Sequence, residues 1–310
     1  MLERFELSVF VPSRADGCAL ETALVLTSAA AGPVSQAAAV FLHPYAPLGG
    51  HMENNVIQEL RSSLEPRTAV SLAFNLRGAS RSQGRTSWTG ATEAEDVHTF
   101  LAMLRDRCLV LHPDYHSPSD HSLLVSQMQA RGFLDPGPVR PGSIPLPAIS
   151  STLLVGYSYG AMLAASIPPS DYPPLRIEYT LISYPYSVLW ALALHKRGAY
   201  LARLLQTVSD AAVASSARSD PAAHISRTLL VYGSSDNFTS ARSYERWLQE
   251  LRIAALGAVQ KARAPSPSES AAAARAVDNA LTAVDIPHAD HGWVRREQEL
   301  ADVVTSWWQR

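Results

Sequence analysis

Leu153-Leu154-Val155-Gly156-Tyr157-Ser158-Tyr159-Gly160-Ala161-Met162-Leu163-Ala164 is the stretch that decides the fold. Leu153 to Val155 is an apolar run of the kind that fills a buried strand, and Ala161 to Ala165 is a small-residue run suited to a helix packed closely on it. Between them stands Gly156-x-Ser158-x-Gly160. Flanked by strand and helix, this spacing is that of a nucleophile elbow. The chain reverses within a few residues, which holds the serine in a strained conformation. A side chain at either glycine would collide with the adjacent strand or helix. Ser158 Oγ then stands at the tip of the turn, and the Tyr159 N–H, opening the helix, is positioned to meet a developing oxyanion.

A serine hydroxyl is a poor nucleophile until a base takes its proton, and the base needs an acid behind it. Both partners are sought downstream of the elbow, in loops that follow apolar strands. Thr228 to Tyr232 is such a strand and leads into Gly233-Ser234-Ser235-Asp236. Leu281 to Ile286 is the last strand and leads into Pro287-His288-Ala289-Asp290-His291-Gly292. The order Ser158, Asp236, His291 is the one expected for this type of elbow. His291 is preferred to His288 as base, because it directly precedes the closing helix. Asp290 adjoins His291 and is poorly placed to reach its far ring nitrogen. These residues ask for no cofactor and no metal.

Working outward, residues 5–12 and 20–26 read as an antiparallel entry hairpin, and Ala31-Gly32-Pro33 breaks the pattern. Residues 38–42 form a fully apolar strand ending in His43-Pro44-Tyr45-Ala46-Pro47-Leu48-Gly49-Gly50. A loop at the carboxyl end of such a strand makes the N–H of Tyr45 or Ala46 the second candidate oxyanion donor, Tyr45 foremost; His43 reads as a local hydrogen-bonder. Helical spacing covers 53–64, a strand 68–74, and a helix 92–105 whose Thr92-x-x-Glu95 suggests a capping box. Arg77 and Arg81, in the loop between the last two, read as loop ties.

Residues 109–149 break this rhythm and are expected to form an irregular surface insertion. His112, His116 and His121 with Asp114 and Asp120 invite a metal reading, but their spacing fits no ligand pattern. A strand over Leu175–Ser183 follows the elbow helix. Residues 187–225 read as a helical lid, with Trp190, Leu194, Tyr200 and Leu204 as candidates for an apolar pocket. A helix is expected over 240–252, a mobile low-complexity loop over 257–275, and a closing amphipathic helix over 294–308.

The 310 residues, 47% apolar and 17% charged, suffice for one large α/β domain spanning 1–310. A net charge of −2, with no basic block, argues against nucleic acid or an anionic membrane as the main partner. The two cysteines form neither a disulfide framework nor a zinc pattern. With no signal-peptide core, no run able to span a bilayer and no terminal address tag, the expectation is a soluble cytoplasmic protein without stable membrane insertion. The sequence leaves the oligomeric state open.

The chain resembles the α/β-hydrolase family, in particular a branch of small intracellular hydrolases. The residues that carry the likeness are His43-Pro44 with Gly49-Gly50, Phe74-Asn75-Leu76-Arg77-Gly78 with Ser82-Gln83-Gly84, Gly156 to Gly160, and Asp290-His291. It covers about 38–110, 150–185 and 226–308. The resemblance implies an α/β-hydrolase fold: a mostly parallel, eight-stranded sheet with helices on both faces. It also implies the triad Ser158, Asp236 and His291, with backbone donors at Tyr159 and near Tyr45. A serine hydrolase acting on a small-molecule acyl substrate (a carboxylic ester, thioester or lactone) is the activity expected. A peptidase or amidase using the same site, and a non-catalytic ligand-binding relative, are the alternatives. The insertions depart from the compact members, so the substrate does not carry over.

Overall fold

A computed structural model describes residues 2–29, 35–217, 226–262 and 267–309. The break at Ala31–Pro33, the end of the 187–225 segment and part of 257–275 lie outside them. In chain order the elements are β1 (Leu2–Pro12), β2 (Ala19–Ala29), β3 (Ala37–Leu42), α1 (Asn55–Leu64), β4 (Val70–Phe74), α2 (Ala91–Arg105), β5 (Cys108–Val110), α3 (Pro118–Ala130), β6 (Ser143–Pro145), β7 (Ser151–Tyr157) and α4 (Tyr159–Ala165). There follow β8 (Arg176–Ile182), α5 (Leu189–Ala193), α6 (Arg197–Ser216), β9 (Thr228–Gly233), α7 (Ala241–Ala262), α8 (Pro267–Ala280), β10 (Leu281–Ile286) and α9 (Glu297–Trp308).

The main sheet has eight strands in the order β1-β2-β4-β3-β7-β8-β9-β10. β1 pairs antiparallel with β2, and β2 with β4; from β4 to β10 every neighbour is parallel. Alternation along the central strands divides the core between two faces. Leu42 and Leu154 point to the side covered by α2, α4, α6, α7 and α8, where Phe100, Met162, Leu204, Leu251 and Val277 complete the cluster. Phe41 and Val155 point to the other side, against Ile57 and Leu60 of α1 and Val304 and Trp307 of α9. Being covered twice, these strands read as continuous apolar runs.

The insertion is more ordered than its sequence suggests. β5 and β6 pair antiparallel, and α3 between them starts on a full capping box, Ser117 with Asp120, with Pro118 in its first turn. That Ser-Pro-x-Asp signal was present and outweighed by the surrounding prolines. The insertion docks on the first strand of the sheet: the N–H of Phe10 donates to His116 Nε2 at 2.9 Å and its carbonyl accepts the N–H of His112 at 2.7 Å. An edge that would otherwise offer unpaired backbone groups is thereby covered. His112 and His121 bond the carbonyls of Gly17 and Ser143, so each histidine of the cluster has its own local partner.

Two further expectations give way. The 257–275 stretch, expected as a mobile loop, carries the end of α7 and the start of α8 on either side of residues 263–266. Alanine is the strongest of the helix formers, and here its runs extend helices rather than a solvated excursion. α2 begins at Ala91 after Gly90, which has φ 74°, and not on a Thr92 capping box. Its Glu93 carboxylate instead turns back to the amide and hydroxyl of Ser87. In the lid segment, α6 packs against α4, α7 and α8. Tyr200 and Leu204 are buried there, whereas Trp190 and Leu194 are exposed.

Candidate active site

The elbow takes the strained form its glycines imply. Ser158 has φ 55° and ψ −114° between β7 and α4, and its N–H donates to the Ile182 carbonyl at 2.8 Å. A Cβ at Gly156 would lie 2.3 Å from the Gly160 carbonyl oxygen, and one at Gly160 would lie 2.2 Å from the Leu42 carbonyl oxygen. The first contact is the turn closing on itself; the second is the helix start pressed against the end of β3.

Ser158, Asp236 and His291 come from the ends of β7, β9 and β10 and form one hydrogen-bonded line. Ser158 Oγ lies 2.9 Å from His291 Nε2, and His291 Nδ1 lies 2.9 Å from Asp236 Oδ2. Gly233 lets the Asp236 loop close on the histidine loop, since a Cβ there would lie 2.1 Å from the Ala289 carbonyl oxygen. The Asp236 side chain is fully buried. Burial pushes its carboxyl upward, but the bond from His291, the attraction to the imidazolium that ring can form and the amides of Thr239 and Phe238 outweigh this and hold it below the ordinary value. Those amides reach Oδ1 at 3.0 and 2.8 Å. An ionised Asp236 can only accept, so His291 carries its proton on Nδ1 and presents a bare Nε2 to Ser158. His288, by contrast, is exposed at φ 60°, and its N–H bonds Ser234; Asp290 is exposed as well.

The candidate oxyanion donors are the amides that open α4 and follow β3. Among the described residues, the amides of Tyr159 and of Tyr45 have no acceptor. The rings of these two tyrosines are in contact, with centroids 5.0 Å apart. The Tyr45 loop is fixed from within by His43, which is fully buried. His43 Nδ1 is 2.6 Å from the Pro44 carbonyl, which can only accept, and Nε2 is 2.9 Å from the Leu76 N–H, which can only donate. The ring is therefore the neutral Nδ1–H form, and burial lowers its pKa to about 4. A Cβ at Gly50 would lie 2.0 Å from the Pro44 carbonyl oxygen, so the loop closes only over a glycine.

Arg77 ties a loop. It is buried and grips Asp96 through Nε and an Nη at 2.8 and 2.6 Å, with Asp16 at 2.9 Å. Asn75 joins the Met52 amide to the Glu21 carboxylate, at 2.8 Å on each side.

Two residues around the histidine carry no sequence motif. Tyr157 donates its hydroxyl to the His291 carbonyl at 2.6 Å. Phe238 packs its ring against the imidazole, with centroids 4.3 Å apart. Their only prior signal was adjacency to Ser158 and Asp236. The loop is braced behind by Trp293, whose indole N–H donates to Ser183 Oγ at 3.0 Å.

No protein-family model matches this chain, and no curated protein does. Solved structures do. An α/β serine hydrolase from Xanthomonas campestris, described as without a lid, aligns over 98% of this chain and 93% of its own at a TM-score of 0.54 and 16% identity. The Pyrococcus furiosus esterase Pf2001 aligns over 99% and 91% at a TM-score of 0.55 and 13% identity. Est1E from Butyrivibrio proteoclasticus, solved with ferulic acid bound, aligns over 97% and 98% at a TM-score of 0.52 and 12% identity. At such identities the likeness is one of fold. Together with the strand order and the elbow, it gives this chain the architecture of the α/β serine hydrolases.

Proposed function

We propose that the protein is a serine hydrolase that cleaves a small-molecule carboxylic ester, thioester or lactone through an acyl-enzyme. The observation that carries this reading is the unbroken line from Asp236 through His291 to Ser158. His291 Nε2 takes the Ser158 proton as Oγ attacks the acyl carbon, and the carbonyl electron pair moves onto oxygen. The amides of Tyr159 and Tyr45 receive that oxyanion. Collapse of the intermediate expels the alcohol or thiol, which takes the proton back from His291. Water, deprotonated by the same nitrogen, then attacks the acyl carbon and releases Ser158. Asp236 holds the imidazole in its Nδ1–H form and stabilises the imidazolium.

Of the segment read as a lid, α6 is built into the helical layer, so we assign the bordering role to residues 186–197 at the carboxyl edge. The test is hydrolysis of a panel of soluble esters and thioesters by wild type beside Ser158→Ala. Turnover that disappears in the variant supports the reading. Turnover that persists in it refutes the assignment of Ser158.

A further inference from the structure

The loops that follow β3, β4, β8, β9 and β10 form a closed ring around Ser158. Leu76 N–H bonds His43, and the Met52 amide bonds Asn75, joining the first loop to the second. Tyr200, just after the third loop, donates to the Thr89 carbonyl of the second at 2.8 Å. The Ser187 amide reaches Thr239 Oγ1 at 3.2 Å, joining the third to the fourth, and Phe238 packs on His291 of the fifth. Asn55 closes the circle on Glu297, where α9 begins, at 2.6 Å.

Among the described residues, this ring carries the most exposed of the large apolar side chains. Trp88 is 78% exposed, Leu48 74%, Trp190 65% and Val294 63%. Each comes from a different part of the ring or its border, and none is used to close it. The exposed charges of these loops are Arg81, Arg85, Lys196 and Arg295 against Glu53 and Asp290, with Arg197 opening α6 beside them. Arg81 is engaged by Glu21 at 3.5 Å, which still leaves a cationic excess in a chain whose net charge is −2. Averaging over the whole chain hides this local sign.

We propose that the ring docks peripherally on an anionic lipid surface, with its tryptophans and aliphatic side chains in the headgroup region and its basic residues on the headgroup charges. Exposed tryptophan and leucine rimmed by arginine and lysine is the combination that such an interface rewards. No helix among the described residues is long and apolar enough to cross a membrane, and the ring offers a contact face, not a span. The docking stands apart from the hydrolase reading. Only its consequence rests on that reading: Ser158 would face the lipid and take an acyl substrate delivered from it.

The test is co-sedimentation of the full chain with vesicles of phosphatidylcholine alone and of phosphatidylcholine mixed with phosphatidylglycerol. Wild type and Ser158→Ala are both used, and soluble-ester hydrolysis is read separately, so an inactive serine and an inert surface give different results. Binding to the mixed vesicles, weakened by salt and at least about tenfold tighter than to neutral ones, is expected. Trp88→Ala weakens it by about tenfold, and Arg85→Glu with Arg295→Glu by about fivefold for each site changed. The proposal is overturned by wild type that stays in the supernatant, by equal binding to both vesicles, or by charge-reversed protein that binds like wild type. It is also overturned if Arg85→Glu with Arg295→Glu abolishes binding while Trp88→Ala leaves it intact, since that marks a surface for a polyanion without a lipid phase.

Discussion

The hydroxyl of Tyr157 holds the main-chain carbonyl of His291 at 2.6 Å, so the residue before the elbow serine fixes the backbone of the histidine that meets it. Burial, with Asp236 and Asp290 nearby, keeps this phenol protonated far above its ordinary range. Tyr157→Phe removes the donor and leaves the carbonyl unpartnered. The expected result is a fall in kcat of about tenfold at nearly constant KM, with a stability loss of about 1 kcal/mol. Steady-state kinetics and thermal unfolding on the same preparation check both.

Asp236→Asn keeps the shape but offers a donor where an acceptor is needed. A kcat loss on the order of 10⁴ is expected. Because the wild-type carboxyl is held below its ordinary value, its ionised form favours the folded state. That contribution is complete above the unfolded value of about 3.9 and is lost as pH falls through the folded one. The stability gap between wild type and variant, measured by denaturant unfolding, is therefore flat from neutral pH down to that region and narrows below it.

His43 predicts a slope of the same sign at higher pH. The unfolded chain binds its proton near pH 6.5 and the folded chain only near 4, so acid opposes folding across that window. This one group is expected to lower stability by on the order of 3 kcal/mol as pH drops from about 6.5 to about 4. His43→Gln is less stable at neutral pH by about 1–3 kcal/mol through its lost bonds. It has a shallower pH dependence in the same window. Unfolding curves across pH distinguish the two effects.

Gly50→Ala places a methyl group 2.0 Å from the Pro44 carbonyl oxygen if nothing moves. The loop must shift, and the Tyr45 amide with it. A kcat loss of about 100-fold is expected, the scale of one oxyanion donor. Circular dichroism that matches wild type ties the loss to the loop.

The strands and their loops were legible because a doubly covered parallel strand is written as an apolar run, and its carboxyl-end loop follows at once. At the elbow, Leu153 to Val155 run straight into Gly156, so strand and turn are read together. Its place before the closing helix is what favours His291 over His288 in the sequence, and in the fold His291 Nε2 lies 2.9 Å from Ser158 Oγ. What could not be read was tertiary. Tyr157 and Phe238 gain their roles only when β7, β9 and β10 lie side by side. α3 and α8 were obscured by composition, since prolines around Ser117 and alanines around Ala272 suggested loops. The Thr92-x-x-Glu95 spacing suggested a cap, but the turn at Gly90 starts α2 one residue earlier and leaves Glu93 as the acceptor for Ser87.

Everything proposed for the site depends on Ser158 being an activated nucleophile. A fluorophosphonate reagent, followed by intact mass on wild type and Ser158→Ala, tests it most directly. Wild type is expected to gain one covalent addition and the variant none. A folded wild type that stays unlabelled, or a Ser158→Ala protein that labels as well as wild type, contradicts it.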